Sequence, residues 1–171
     1  MRDRKIIDMG VIMGKEVKTN AMRILDKNNI KYELNTYDCD NFVDGKSIAD
    51  MLGQDYNISF KTLVATGKSG QYYVFVIPVA EELDLKIAAK EAGEKNVALL
   101  HVKDINKVTG YIRGGCTPVG MKKQYPVFVH GSAKGFERII ISGGRLGAQI
   151  FLNPDDLIKV TGGKYADIIV H

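Results

Sequence analysis

The succession of strand-like and helix-like segments predicts an α+β domain. It would be built on a mixed or largely antiparallel sheet of about seven strands, with three or four short flanking helices. Apolar, β-branched segments occur in hairpin-like runs, most clearly residues 58–67 and 71–79 on either side of a Lys-Ser-Gly turn. Helix-like segments separate only some of the strands, whereas a doubly wound parallel sheet alternates strands with helices.

The chain is long enough for one domain with a small appendage, at 171 residues. Residues 1–18 show no clear periodicity and no helix caps, so we expect a flexible N-terminal leader there. A single domain is then predicted over residues 19–171. It begins with a short amphipathic helix whose N-cap signal is Thr19-Asn20.

The predicted strands are short apolar or alternating segments bounded by turn residues. In chain order they are residues 31–37, 58–67, 71–79, 97–101, 127–130 and 138–142, and then the apolar residues that follow a second glycine cluster at 143–147. The final apolar segment, 165–170, carries no signal that separates a strand from a helix.

The remaining helices are predicted from their caps. Ser47 is expected to begin a helix that Gly53 ends, after a turn-rich loop over residues 38–46. Asp84 is expected to cap a helix closed by Gly93, and a helical turn or two follows over residues 103–108. The last helix begins at Asn153-Pro154, because proline is favoured at the first helical position, and it ends at Gly162-Gly163.

The composition excludes several classes of protein. Hydrophobic residues make up 45% and charged residues 26%, which excludes a disordered chain. The two cysteines, Cys39 and Cys116, form no C-x-x-C pair and the three histidines are isolated, so we expect no metal site and a reducing compartment. Asp8 interrupts any signal-peptide core, and the longest apolar run, residues 72–80, is too short to cross a bilayer. We therefore predict a cytoplasmic protein without a membrane partner.

Positive charge is concentrated in the second part of the chain. Residues 1–100 contain 14 basic and 15 acidic residues, whereas residues 101–171 contain 10 basic and 5 acidic ones. This asymmetry is compatible with a polyanionic ligand, such as a nucleic acid, on one face. A solvated surface without such a partner remains the alternative.

The glycine loop over residues 114–120, with the sequence Gly-Gly-Cys-Thr-Pro-Val-Gly, is a candidate binding loop. Glycines at both ends let the backbone turn sharply and point its N–H groups outward, and Pro118 stiffens the loop. Such N–H groups can donate to a phosphate or to a developing oxyanion. An ordinary tight connection between two elements is an equally good interpretation of the spacing.

Two other residues are unusual for their positions. Lys61 lies in the middle of an otherwise apolar strand, so it either protects a sheet edge or reaches into a cleft as a compact positive charge. Tyr37, at the end of a strand, could stack on a base, although a half-buried core tyrosine is the commoner outcome.

Two further hypotheses receive little support from the sequence. Cys116 as a nucleophile would need an activating base, and neither His101 nor His130 is an evident partner. The glycine cluster at 143–147 only partly matches a dinucleotide-binding loop, and a tight turn between two strands explains it better.

Taken together, the motifs resemble those of the YbaK/EbsC family of Cys-tRNA(Pro)/Cys-tRNA(Cys) deacylases, which is related to the editing domain of bacterial prolyl-tRNA synthetases. The resemblance covers about residues 19–169 and depends on the order and spacing of the whole set. The motifs that carry the resemblance are Lys61-Thr62-Leu63, Pro78-Val79-Ala80 with Leu83-Asp84-Leu85-Lys86, Thr109-Gly110-Tyr111 leading into Gly114-Gly115-x-Thr-Pro-x-Gly120, Ser142-Gly143-Gly144-x-x-Gly147 and Lys164-Tyr165-Ala166-Asp167-Ile168.

The resemblance implies a barrel-like sheet and an enzyme that hydrolyses mischarged tRNA, chiefly Cys-tRNA(Pro), without metal or cofactor. Its partners would be the acceptor end of tRNA and, by extension, prolyl-tRNA synthetase. Lys61 would hold the 3′-terminal nucleotide or the aminoacyl group, and the backbone of Gly114 and Gly115 would stabilise the oxyanion. The other implied pocket residues are Tyr37, Thr62, Cys116, Thr117 and Pro118, with Ser142, Gly143 and Gly144 on the opposite wall.

The resemblance also implies a route in which the substrate's own thiol attacks its carbonyl. Some members carry an acid where this chain has Gln149, so no general base is expected there. The alternative is a non-catalytic module of the same fold that binds tRNA or a synthetase.

Overall fold

The computed structural model describes residues 18–171, so all but the last residue of the predicted leader over 1–18 lies outside the described residues. Five α-helices and eight strands are present in the described part. The helices are α1 (Asn20–Lys27), α2 (Gly45–Leu52), α3 (Leu85–Ala92), α4 (Ile105–Thr109) and α5 (Pro154–Thr161). The strands are β1 (Tyr32–Thr36), β2 (Phe60–Gly67), β3 (Tyr72–Pro78), β4 (Val97–Leu99), β5 (Val127–His130), β6 (Ile139–Ser142), β7 (Ala148–Leu152) and β8 (Lys164–Ala166).

The strands form two sheets. One has three antiparallel strands in the order β1-β7-β6. The other has five strands in the order β4-β2-β3-β5-β8, in which β2 pairs antiparallel with β3 and β4, while β5 pairs parallel with β3 and β8. The α+β class and the mixed, largely antiparallel pairing are therefore as predicted, and the unassigned C-terminal segment contributes β8.

The prediction of a barrel-like sheet is wrong, because neither sheet closes on itself. The two sheets meet at one isolated parallel bridge, Ser59 with Ile140, where the Ile140 N–H donates to the Ile58 carbonyl at 2.8 Å. Beyond that bridge β2 and β6 are not paired with each other. Closure would require a continuous ladder between these two strands, and a single bridge does not provide it.

The five-stranded sheet has an apolar core on each face. Alternation along β2 places Phe60 and Val64 in the larger core, with helices α1 and α5 and strands β6 and β7. Ala65 belongs to the second core, which lies against α3 and the C-terminal Ile168. The three-stranded sheet is therefore packed as a second layer over the first. No helix within residues 18–171 has the length and hydropathy needed to span a bilayer.

Helix caps explain where most helices begin. Asp84 accepts hydrogen bonds from the N–H groups of Lys86 and Ile87, each at 3.0 Å, and Gly93 ends α3 in the left-handed conformation, as predicted. Helix α2 differs from prediction, since it begins at Gly45 and its N-cap is Asp44, which accepts from the Ser47 N–H at 3.1 Å. Ser47 is therefore not the N-cap residue: it lies inside the helix, and its N–H donates to the N-cap carboxylate of Asp44.

We predict that Asp84→Ala lowers the free energy of unfolding by about 1 kcal/mol, because two N–H groups of α3 lose their acceptor. Ser47→Ala is the matched control and should change it by less than about 0.5 kcal/mol, since the exposed Ser47 hydroxyl is not an N-cap acceptor and contacts only the exposed carboxylate of Asp44. Urea unfolding of both variants measures the difference. A larger loss for Ser47→Ala than for Asp84→Ala would contradict this assignment of the caps.

Candidate functional site

A cavity of about 370 Å³ lies where the two sheets separate, and it is open to solvent on one side. Most of its lining is apolar. Strand β2 contributes one wall, strands β6 and β7 a second, and the segments around α2 and α4 complete it. The lining residues are Tyr37, Phe42, Val43, Asp44, Gly45, Ile48, Gln54, Ser59, Phe60, Lys61, Thr62, Leu63, Val64, Val79, Leu99, Leu100, Val102, Ile105, Arg113, Gly114, Cys116, Ile140, Ile141, Ser142, Ala148 and Gln149.

The main chains of two strand edges face this cavity, and neither edge has a strand partner there among residues 18–171. Backbone groups alternate in direction along a strand, and the Ser59 carbonyl, which accepts from the Val79 N–H, points towards β3. The main chain of Thr62 therefore points away from β3, to the edge that β6 would have covered. By the same alternation the main-chain N–H and C=O groups of Ser142 point away from β7, because the N–H of the next residue, Gly143, donates to the Ala148 carbonyl at 2.8 Å. These two edges offer donors and acceptors to a ligand.

Lys61 lies on the cavity wall, half-buried, so its side chain is not an exposed edge lysine. Burial lowers the pKa of its ammonium group, while the carboxylates of Glu82, Asp44 and Glu81 act in the opposite direction and favour the charged form. Gly45 lies next to it, since a Cβ there would be 2.7 Å from a methyl group of Val79 and 4.0 Å from the Lys61 Cβ. The position allows a positive charge to meet a phosphate or a carbonyl oxygen.

The glycine loop reaches the cavity with only two of the residues predicted for it, Gly114 and Cys116. Gly114 has φ +87°, and within residues 18–171 its N–H donates to no protein acceptor. The Gly115 N–H donates to the Ile112 carbonyl at 2.9 Å, and a Cβ at Gly115 would be 2.9 Å from the Arg145 Cα. Gly115 is therefore the point where the two glycine clusters pack backbone against backbone.

The structure places the other two predicted loop residues away from the cavity lining. Thr117 is fully buried and its hydroxyl has no hydrogen-bond partner among the described residues. Pro118 lines a second cavity of about 210 Å³ together with Lys122, Lys123 and others. Their predicted roles in substrate binding find no geometric support in this arrangement.

The second glycine cluster forms the tight connection between β6 and β7, as the turn interpretation predicted, and no helix follows it as in a dinucleotide-binding loop. Ser142 lines the cavity, and its hydroxyl accepts from the Gly144 N–H at 3.2 Å. Gly143 and Gly144 instead hold the start of α1. The Thr19 hydroxyl donates to the Gly143 carbonyl at 2.6 Å, and a Cβ at Gly144 would be 2.9 Å from Thr19.

Tyr37 and Thr62, the two remaining predicted residues, both line the cavity. The Tyr37 N–H is held by the Gly147 carbonyl at 2.9 Å, which ties the end of β1 to the second glycine cluster. Burial raises the pKa of the Tyr37 phenol. The structure thus brings together Lys61, Thr62, Tyr37, Gly114, Cys116 and Ser142, and it leaves Gly115, Thr117, Pro118, Gly143 and Gly144 outside the lining.

Several neighbours of this set were not predicted from the sequence. The Arg113 guanidinium lies 3.9 Å from the centre of the Phe42 ring, and both side chains line the cavity. The sequence offered two signals for this pair: Phe42 is an aromatic residue within a turn-rich loop, and Arg113 is a basic residue directly before two glycines. Asp44 also lines the cavity, and hydrogen bonds from Ser47 together with the charges of Lys61 and Lys46 lower the pKa of its carboxyl group.

A cluster of side-chain amides forms the far wall. Gln149 accepts from Asn35 at 3.0 Å and from Gln54 at 2.8 Å, and it donates to the Gln54 oxygen at 3.0 Å. Gln54 could not be found from the sequence, because 95 residues separate it from Gln149. The cluster is neutral and mutually satisfied, so it provides no general base. No group of three or more potential metal-ligating side chains occurs among residues 18–171.

The Cys116 thiol is unsuited to act as a nucleophile. Burial raises its pKa to about 11, and a hydrogen bond to Thr109 only partly offsets this effect. The reactive species is the thiolate, which at neutral pH would be a very small fraction of such a thiol.

The chain matches a known protein family and a named relative. The profile of a family described as "Aminoacyl-tRNA editing domain" matches residues 43–160. The chain is 42% identical over 152 residues to a protein of Enterococcus faecalis named "Putative Cys-tRNA(Pro)/Cys-tRNA(Cys) deacylase EbsC", with 88% of this chain and 93% of that protein covered.

Two solved structures share the fold. A hypothetical protein matches with a TM-score of 0.81 and 23% identity, over 89% of this chain and all of that one. A protein described as "a putative trans-editing enzyme for prolyl tRNA synthetase" matches with a TM-score of 0.76 and 22% identity, over 89% of this chain and 96% of that one. Identities this low show the fold alone.

We predict that alkylation of Cys116 by iodoacetamide at pH 7.5 is far slower than that of free cysteine. The thiol with a pKa of about 11 is almost entirely protonated at that pH, and its rate should rise about tenfold per pH unit until the pH approaches the pKa. Peptide mass spectrometry of the folded protein measures the modification at each site. Rapid modification that is already complete at neutral pH would contradict the prediction and restore Cys116 as a candidate nucleophile.

Proposed function

Because the chain belongs to the YbaK/EbsC family of aminoacyl-tRNA editing domains, we propose that it hydrolyses the ester bond of mischarged tRNA, chiefly Cys-tRNA(Pro). The observation that carries the proposal is that one cavity is lined by a half-buried lysine, a glycine whose N–H has no acceptor among residues 18–171, and two strand edges that are not paired with each other. The name of the Enterococcus faecalis relative supports the choice of cysteine and of the proline tRNA.

The size and lining of the cavity suit the end of an aminoacylated tRNA. A volume of about 370 Å³ falls in the range of small-molecule sites, about 300–1,000 Å³. The apolar part of the lining suits a small side chain. The main-chain groups of Thr62 and Ser142 can hydrogen-bond a ribose hydroxyl or the α-amino group. Lys61 supplies the positive charge for the terminal phosphate or the ester carbonyl.

The proposed reaction needs only modest assistance, because an aminoacyl ester is already an activated acyl group. One well-placed N–H donor to the oxyanion is worth about 3–4 kcal/mol of transition-state stabilisation. We assign this role to the Gly114 N–H, because it donates to no acceptor among residues 18–171 and because Gly114 lines the cavity. Gly115 is assigned a supporting role, because its own N–H is already bonded to Ile112.

With a cysteinyl substrate, the substrate thiol is the proposed nucleophile. Its sulfur attacks the ester carbonyl carbon, and the negative charge forms on the carbonyl oxygen. The bond to the ribose oxygen then breaks, the ribose hydroxyl takes up the proton released by the thiol, and a cyclic thioester leaves, which water opens to free cysteine. This route requires no protein nucleophile, metal or cofactor. It is compatible with the neutral Gln149 cluster and the protonated Cys116.

The place of action follows from the substrate. Charged tRNA is a cytoplasmic substrate, so we propose that the protein acts there in trans. The Cys-tRNA(Pro) in the name of the Enterococcus faecalis relative supports prolyl-tRNA synthetase, the enzyme that charges this tRNA, as the functional partner that generates the mischarged substrate.

We predict that the protein deacylates Cys-tRNA(Pro) well above the uncatalysed rate and acts more slowly on the same tRNA charged with Ala or Ser. The reason is that only the cysteinyl ester carries a thiol that can attack its own carbonyl. Release of the labelled amino acid from the three substrates, assayed side by side, measures the preference. Correctly folded protein with no activity on any of them would leave only the non-catalytic binding module.

We predict that Lys61→Ala lowers kcat/KM for deacylation about 10- to 100-fold, as expected for the loss of one hydrogen bond to a charged group, about 1.5–3 kcal/mol. The matched control is Lys46→Ala, an exposed lysine at the start of α2 that does not line the cavity. Its kcat/KM should stay within about twofold of wild type. If the two variants had equal kcat/KM and unchanged Tm, Lys61 would have no role in the reaction.

A further inference from the structure

We propose that residues 101–123, here called the basic segment, bind the phosphate backbone of the tRNA acceptor arm while the adjoining cavity holds the aminoacyl end. This inference rests on the proposed function and adds the surface by which the nucleic acid is held. Three features support it: the concentration of charge on the segment, its position against the cavity, and the opposite sign of the facing rim.

The basic segment carries the net positive charge of the chain. It contains five basic residues, Lys103, Lys107, Arg113, Lys122 and Lys123, against one acidic residue, Asp104. Its formal net charge of +4 therefore equals that of the whole chain, so the remaining residues are balanced. A fixed positive potential on one short segment is what a phosphate backbone requires.

The charges of the segment are available to a ligand. All five basic residues are exposed. Lys107 has a weak ion pair with Asp104 at 3.7 Å. Among residues 18–171, no carboxylate lies within ion-pair distance of Lys103, Arg113, Lys122 or Lys123. A phosphate that approaches this surface does not have to displace an internal partner from these four side chains.

The same segment forms a wall of the cavity, so the surface and the site are continuous. Val102, Ile105, Arg113, Gly114 and Cys116 line the cavity, and they are interspersed in sequence with the exposed basic residues. The far end of the segment folds back towards this wall. The Lys122 N–H donates to the Thr109 carbonyl at 3.0 Å, and a Cβ at Gly110 would be 3.3 Å from the Lys122 side chain.

The rim of the cavity opposite the basic segment is acidic, so the two sides of the cavity entrance carry opposite charge. The loop that follows β1 carries Asp38, Asp40 and Asp44, with no basic residue before Lys46. The two rims meet where Arg113 stacks on Phe42, a ring that remains 42% exposed. Phosphates are attracted to one rim and repelled by the other, so the acceptor arm approaches over the basic segment.

The test compares two triple charge reversals of equal net charge. Lys103→Glu/Lys122→Glu/Lys123→Glu alters the basic segment outside the catalytic cavity. The control Lys68→Glu/Lys86→Glu/Lys90→Glu alters exposed lysines at the β2–β3 turn and on α3. Each enzyme is assayed on Cys-tRNA(Pro) and on cysteinyl adenosine, an ester that carries no phosphate. Tm measurements establish that each variant is folded.

We expect the basic-segment variant to lose about tenfold or more in kcat/KM on the tRNA substrate, through KM, and to keep its activity on cysteinyl adenosine within about twofold. The dependence of log KM on log salt concentration should also flatten, by roughly 0.9 for each phosphate that the variant no longer neutralises. The control variant should behave as wild type on both substrates.

If both variants lost kcat/KM on the tRNA substrate to the same extent, the proposal would be overturned in favour of diffuse attraction by net charge. If both variants kept the wild-type kcat/KM on that substrate, the proposal would also be overturned. If wild-type protein hydrolyses neither substrate, the proposed function fails, and binding of uncharged tRNA then decides this inference. Weaker binding by the basic-segment variant alone would support the assigned surface, whereas equal affinities of the two variants would contradict it.

Discussion

The separation of strands β2 and β6 just beyond the Ser59–Ile140 bridge is the constraint on which the rest of the site depends. A fully paired sheet would satisfy the main-chain groups of Thr62 and Ser142 and would leave no space for a ligand. Because the strands part, these groups face an open cavity, and Lys61 is placed on its wall. The backbone contact between Gly115 and Arg145 then fixes the glycine loop beside that opening, where a side chain larger than hydrogen would not fit.

Local signals were sufficient for most of the fold. The strand at Val127–His130 and the helix from Asp84 to Gly93 follow directly from β-branched runs and from caps, which act over a few residues. The start of α2 was missed because Gly45 and Lys46 follow Asp44, and glycine is a poor helix former that hides the cap before it. The closure of the sheet could not be predicted, since it depends on whether two strands about 80 residues apart continue to pair after one bridge.

The candidate site was predictable to the extent that its chemistry stands out in one place along the chain. A lysine in an otherwise apolar strand and a loop with glycines at both ends are both local anomalies of the sequence, and Lys61 and Gly114 both line the cavity. Thr117 and Pro118 belong to the same loop but are buried or turned to another cavity, because the direction of each residue is set by packing that the sequence does not display. The pairs Gln54–Gln149 and Phe42–Arg113 arise from tertiary contacts alone.

A crystal structure with a non-hydrolysable amide analogue of cysteinyl adenosine tests the central claim most directly. The account predicts that the analogue occupies the cavity between β2 and β6, with its acyl oxygen within hydrogen-bonding distance of the Gly114 N–H and the Lys61 ammonium group in contact with the ligand. An analogue bound elsewhere, for example in the smaller cavity beside Lys122 and Lys123, with the space between the two strands left empty, would contradict it.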